Sequence, residues 1–166
     1  MATKKLTFAA LLIAIGTLLG HVIYIPVGVA KCFPIQHAIN VISAVLLGPG
    51  YAVSNAFVIS LLRNILGTGS PLAFPGSMLG AFLAGLLFTK TGKYSFTVAG
   101  EIFGTGILGG IASYPIAKFI LGNDVAVFFF VVPFLVSTIG GSLIGYLLLK
   151  ILANNPWMEK QGFLRR

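Results

Sequence analysis

The chain has 166 residues, of which 57% are hydrophobic and only 8% charged, and its net charge is +8. A soluble domain of this size carries roughly 25% charged residues and needs a polar skin, so the composition excludes a water-soluble fold. Basic residues sit at the ends of apolar runs rather than in aromatic-interleaved patches, which argues against a nucleic-acid partner and for loops facing the cytoplasm.

Unpaired backbone groups are costly in lipid, so spanning elements are helices or a closed barrel. The apolar runs are continuous and lack period-2 alternation, which selects helices. The first run covers residues 6–25 behind Lys4 and Lys5. It resembles a signal peptide, but its length and the further runs behind it predict a retained first helix. Pro26 breaks it, and residues 27–35 read as a loop. Cys32 is the single cysteine, so no intramolecular disulfide forms, and beside Phe33 and Pro34 it packs as a small apolar side chain.

A second helix over about residues 36–47 ends at the turn Gly48-Pro49-Gly50. A third covers 51–66, with Gly67 as its cap and an irregular loop over 67–71. A fourth covers 74–89, with Pro75 tolerable in its first turn. After a basic turn at 90–94, a fifth covers 95–121; Gly122-Asn123-Asp124 turns the chain into a sixth over 125–152. The expected fold is an all-α integral membrane protein, a six-transmembrane-helix bundle forming one domain over 1–153, with a polar basic cytoplasmic tail at 154–166.

With six spans and the N-terminus inside, Lys4, Lys5, Lys90, Lys93, Lys150, Lys160, Arg165 and Arg166 face the cytoplasm, and Lys31, Arg63 and Lys118 face outward. An odd number of spans would place the basic tail outside, against the positive-inside rule, so both termini are expected in the cytoplasm.

This topology gives the polar residues a common depth. His37 and Asn40 begin helix two, Arg63 and Asn64 end helix three, Phe74 and Ser77 begin helix four, and Ser113 and Tyr114 lie late in helix five. All fall near the outer face, under a loop holding Lys31, Phe33 and Gln36. Residues at helix ends can simply be interfacial and wet, and Tyr and Arg are ordinary anchors there. Against that, His37 and Asn40 are three apart on one helical face. Arg63-Asn64 also precedes Gly67-Thr68-Gly69-Ser70, a loop able to present backbone amides. The combination suits a small polar or aromatic ligand in an outward-facing pocket.

Glu101 is the one acid within an expected span, about a turn in from the cytoplasmic end of helix five. A helix dipole there favours a carboxylate; a ligand contact or a polar lock between helices are the alternatives. Helix one carries Ala10 and Ala14, then Gly16 and Gly20, small residues four apart that let another helix approach. Packing within the same bundle explains such pairs equally well.

No G-x-x-x-x-G-K-[ST] stretch, H-E-x-x-H motif, cysteine pair or carboxylate cluster occurs, so nothing points to an ATPase site, a metal or another cofactor. An intramembrane hydrolase built on Ser77 would need a paired base and an oxyanion hole, for which the sequence offers no signature.

Lys31-Cys32-Phe33-Pro34-Ile35-Gln36-His37-Ala38-Ile39-Asn40-Val41, Leu61-Leu62-Arg63-Asn64-Ile65-Leu66-Gly67-Thr68-Gly69 and Ala73-Phe74-Pro75-Gly76-Ser77-Met78 together resemble the ThiW family. The resemblance covers roughly residues 6–152. It implies a thiazole-specific S component of an energy-coupling factor vitamin transporter: a six-helix subunit that captures a thiamin precursor, hydroxyethyl-methylthiazole, and works with a transmembrane coupling protein and two ATPase subunits. It further implies that Ala10 and Ala14 meet the coupling protein and that residues 27–36 act as a lid. Phe33, Gln36, His37, Asn40, Asn64, Phe74, Ser77 and Tyr114 are the expected ligand contacts, with Lys31, Arg63 and Glu101 as pocket support. A stand-alone carrier, or an S component for another vitamin, is the competing expectation.

Overall fold

The computed structural model describes residues 2–27 and 30–155, with the side chains of residues 2, 26, 27, 30 and 31 left out. The Lys31 side chain and the tail from residue 156 onward therefore lie outside the described residues.

Helix α1 runs over Ala2–Val22. It ends three residues earlier than expected, because the chain must be extended ahead of Pro26. Instead of an irregular loop, β1 (Ile25–Val27) and β2 (Ala30–Cys32) form a small antiparallel hairpin with Pro26 opposite Lys31. Both strands are edges, where a proline's missing N–H is tolerated.

Helix α2 spans Pro34–Leu46, with its proline in the first turn where no N–H partner is needed. All its residues but Ile35 are buried, so α2 is the central rod, packed on every side by other helices. Gly48, at φ 94°, makes the left-handed turn into α3 (Pro49–Ile65). The buried stripe of α3 reads Ala52, Asn55, Ala56, Ile59, Ser60, Arg63, a helical period that carries an arginine inward. Helix α4 covers Ala73–Thr91 and is capped by Gly92 at φ 67°. Helix α5 is continuous over Tyr94–Ile120, with π-type turns at Ile102–Gly109 and Ile116–Ile120. Pro115 immediately precedes the second of these; its missing N–H displaces the hydrogen-bond ladder. Helix α6 covers Val131–Ala153, six residues later than expected, and residues 121–130 form a folded loop instead.

The described residues are thus predominantly helical, and four helices, α1, α4, α5 and α6, are long and apolar enough to cross a membrane. Helices α2, at 13 residues, and α3, at 17, fall short of that length. The distribution of side chains is that of a lipid-solvated bundle: Phe119 is 77% and Leu18 67% exposed, while Arg63 and Glu101 are at most 1% exposed.

Glycines let α4 and α5 approach at backbone distance. A Cβ on Gly104 would lie 2.7 Å from the Leu79 carbonyl oxygen and the Gly80 Cα, and one on Gly109 would lie 2.3 Å from the Gly76 Cα. Gly141 and Gly145 of α6 similarly receive the backbone of α2 at Pro34 and Ala38. Such small-residue contacts hold helices together where lipid removes the hydrophobic drive. Gly104→Ala should therefore lower thermal stability in mild detergent, by on the order of 1–3 kcal/mol, since backbone cannot give way as a side-chain tip can. Gly140→Ala, whose Cβ meets nothing within 4 Å, should leave the unfolding midpoint unchanged or raised.

Candidate functional site

The end of the bundle carrying the hairpin also carries the α3–α4 loop and the α5–α6 loop. Between them opens a cavity of about 660 Å³. Its aromatic wall is Phe33, Phe129, Phe130 and Phe134; its polar lining includes Gln36, His37, Ser77, Thr105 and Ser137.

Helix α2 positions this lining by starting deep. Phe33 N donates to Ser137 Oγ at 2.8 Å, and buried Cys32 Sγ contacts the Pro133 carbonyl oxygen at 3.2 Å. The end of the hairpin is thereby held level with the first two turns of α6. His37 and Asn40 are both buried in the bundle, with His37 on the cavity lining. Glu101 is two turns into α5, not one turn from an end, and is fully buried. Its Oε1 accepts from Asn40 Nδ2 at 2.9 Å, pairs with His37 Nδ1 at 2.9 Å, and lies 3.0 Å from Thr105 Oγ1, whose one proton is shared with the Gly76 carbonyl oxygen at 3.1 Å. Among the readings left open for Glu101, the geometry is that of a polar lock between α2 and α5. Gly80 makes room for it, since a Cβ there would lie 2.7 Å from Glu101 Oε2.

A second network braces the mouth. Arg63 Nη1 donates to Gln36 Oε1, Arg63 Nη2 donates to the Thr68 carbonyl oxygen at 3.1 Å, and the guanidinium lies 3.7 Å over the Phe33 ring. Gln36 Nε2 in turn donates to Ser60 Oγ at 2.8 Å and Ser77 Oγ at 2.9 Å. The cation is met by a carbonyl, an amide and a ring face rather than by a carboxylate; among the described residues the one acid–base pair is His37 with Glu101.

Of the expected contacts, Phe33, Gln36, His37 and Ser77 line the cavity, and so does Arg63. Asn40 lies behind them, bonded to Ser77 and Glu101. Asn64 points into the loop, donating to the Ser60 and Ser70 carbonyl oxygens at 2.8 and 3.1 Å. The Phe74 ring packs 5.6 Å from that of Phe57, and the Tyr114 hydroxyl accepts from Lys118 Nζ at 3.1 Å; neither lines the cavity. Ala10 and Ala14 are exposed on α1, whereas Gly16 and Gly20 face Ile59 and Arg63 inside the bundle. Sequence reasoning missed Thr105, Ser137 and, of the aromatic wall, Phe129, Phe130 and Phe134. Two signals were available: Thr105 stands four residues after Glu101 on the same helical face, and the run Phe128-Phe129-Phe130 borders a turn.

The chain matches the family described as thiamine-precursor transporter protein (ThiW) over residues 6–155. It belongs to the ThiW family. Neither a curated protein nor a solved structure matches it. Family membership makes the chain a transporter of thiamine precursors, and its apolar helices make it a multi-pass membrane protein. The cavity is then the natural place in this ThiW-family fold to look for a solute.

Arg63→Ala should lower the unfolding temperature in detergent, at on the order of 1–3 kcal/mol for each acceptor left without a donor. Arg63→Lys should recover only part, because one ammonium cannot serve both acceptors and lie flat on Phe33. Unfolding of Arg63→Ala at the wild-type temperature would show that the mouth is braced by something else.

Proposed function

We propose that the chain is the substrate-capture (S) subunit of an ATP-driven energy-coupling factor importer in a prokaryotic cytoplasmic membrane, and that its ligand is the neutral alcohol hydroxyethyl-methylthiazole. The observation that carries this reading is a cavity of about 660 Å³ with an aromatic wall and a hydrogen-bonding floor, in a chain of the thiamine-precursor transporter family. A thiazole is a small aromatic ring that stacks on Phe33 or Phe134, with a ring nitrogen and a hydroxyl for the floor. A phosphate ester fits poorly, because the Arg63 guanidinium is already engaged by Gln36, Thr68 and Phe33.

In this reading all six helices cross the membrane, α2 and α3 completing their spans with the hairpin and the loop after Ile65. Both termini face the cytoplasm. Burial of Arg63 removes it from the outer loop charges and leaves Lys31 and Lys118 there, which strengthens the positive-inside bias. The segment 27–36 serves as the lid. Energy comes from two partner ATPase subunits through a transmembrane coupling protein that packs on Ala10 and Ala14, the small residues α1 turns away from its own bundle.

Calorimetry with thiazole alcohol, its phosphate, the aminopyrimidine precursor and thiamin tests the ligand. The alcohol is expected to bind best; tightest binding of the phosphate would make Arg63 a ligand contact, and binding of none would remove the thiazole assignment. His37→Ala should weaken alcohol binding by about tenfold to a hundredfold, the loss of one hydrogen bond from a dry site. Ala14→Trp should bind ligand as wild type does but fail to transport when reconstituted with the coupling module. Normal transport by Ala14→Trp, or by the purified chain alone in liposomes, would contradict the subunit assignment.

A further inference from the structure

We propose that Glu101 fixes the tautomer of His37, so that the cavity floor presents a bare imidazole nitrogen and selects ligands that donate a hydroxyl hydrogen. The inference rests on reading the cavity as the precursor site, and it assigns Glu101 as a specificity-setting residue that itself stays out of the cavity.

The proton positions follow from which atoms can only accept. Asn40 has one end of its amide 3.2 Å from the Ser77 carbonyl oxygen, which has no proton to give, so that end is the nitrogen. The same nitrogen lies 2.9 Å from Glu101 Oε1, so Oε1 accepts. His37 Nδ1, 2.9 Å from that oxygen, must then carry the ring proton. A neutral imidazole has one proton, which leaves Nε2 with a lone pair. This holds for His37 as a neutral imidazole and any proton of Glu101 on Oε2; an imidazolium paired with an ionised Glu101 would carry a proton on Nε2 as well. His37 lines the cavity, and Nδ1 is the one ring nitrogen hydrogen-bonded among the described residues.

Two hydroxyls share the cavity lining with this acceptor. Ser77 Oγ accepts from Gln36 and Asn40, and Ser137 Oγ accepts from the Phe33 N–H. Neither donates to a described residue, so each has its proton available to a ligand. The floor therefore offers one acceptor and two donors. A ligand with a hydroxyl and a separate acceptor atom satisfies it; an ether in place of the hydroxyl sets lone pair against lone pair at Nε2.

The test begins with nitrogen NMR. His21→Ala leaves His37 as the only histidine, because the chain has two. In ¹⁵N-histidine protein in detergent, Nδ1 should be protonated and Nε2 bare, and Nε2 should shift on adding thiazole alcohol but not its methyl ether. A proton on Nε2 overturns the proposal. Binding supplies the second readout. Wild type should prefer the alcohol over the methyl ether by about tenfold or more. Glu101→Gln should keep that ratio, even if affinity falls, because a carboxamide oxygen turned to Asn40 and His37 still accepts. Glu101→Met should lose it. Equal loss in Glu101→Gln and Glu101→Met would mean that Glu101 acts through charge, and the tautomer assignment would fall. Should Glu101→Met not fold, the wild-type NMR and the Glu101→Gln ratio decide alone. Wild type that binds alcohol and ether equally overturns this inference and leaves the thiazole reading standing. Wild type that binds neither removes the thiazole reading, and the position of the ring proton then judges the role of Glu101.

Discussion

A carboxyl group sealed inside a bundle whose outer surface is apolar needs hydrogen-bond partners, and the packing of α2 on α5 follows from how Glu101 is met at Oε1. Its Oε1 collects His37 and Asn40 from α2 and Thr105 from its own helix. A hydrogen bond contributes about 0.5–1.5 kcal/mol net, and more is at stake if one is left unmade in a dry interior. The lock therefore sets the depth of α2 against α5. Depth then decides which residues of α2 reach the cavity: one turn shallower, His37 would leave the floor and Gln36 would lose Ser60 and Ser77.

The lock works only because neighbouring helices yield space. Gly80 leaves room for the carboxylate and Gly104 for the α4 backbone, while Gly141 admits the His37 turn of α2. The same small residues that supply van der Waals contact between helices in lipid thus also create the polar interior. The mouth is built differently. There Arg63 ties the first residues of α2 to the loop after α3 without any acid, so its charge is spread over a carbonyl, an amide and a ring. Two guanidinium nitrogens and one ring face are thus engaged before a solute arrives, which is the ground for the proposed preference for a neutral ligand.

Much of this was legible in the sequence. Hydropathy located the long helices, the turns at Gly48, Gly67, Gly92 and Gly122 bear left-handed glycines, and the three motif stretches pointed to the family that the chain belongs to. Two features were not legible, for physical reasons. The hairpin strands are three residues each, too short for any periodicity to register, so the contacts that set the depth of α2 against α6 cannot be read from the sequence. Apolarity alone also extends α6 back to Val125, because a cavity-lining loop rich in Phe and Val has the composition of a membrane helix. Glu101 and His37 were each noticed, but their pairing depends on that depth and on glycine packing, neither of which sequence spacing encodes.

A structure of the protein bound to hydroxyethyl-methylthiazole bears most directly on the claim that this cavity is the binding site. The ring is expected against the aromatic wall formed by Phe33 and Phe134, with the hydroxyl within hydrogen-bond distance of His37 Nε2 and the His37–Glu101 contact retained. A ligand found outside this cavity, or bound with its hydroxyl turned away and His37 swung off Glu101, would contradict it.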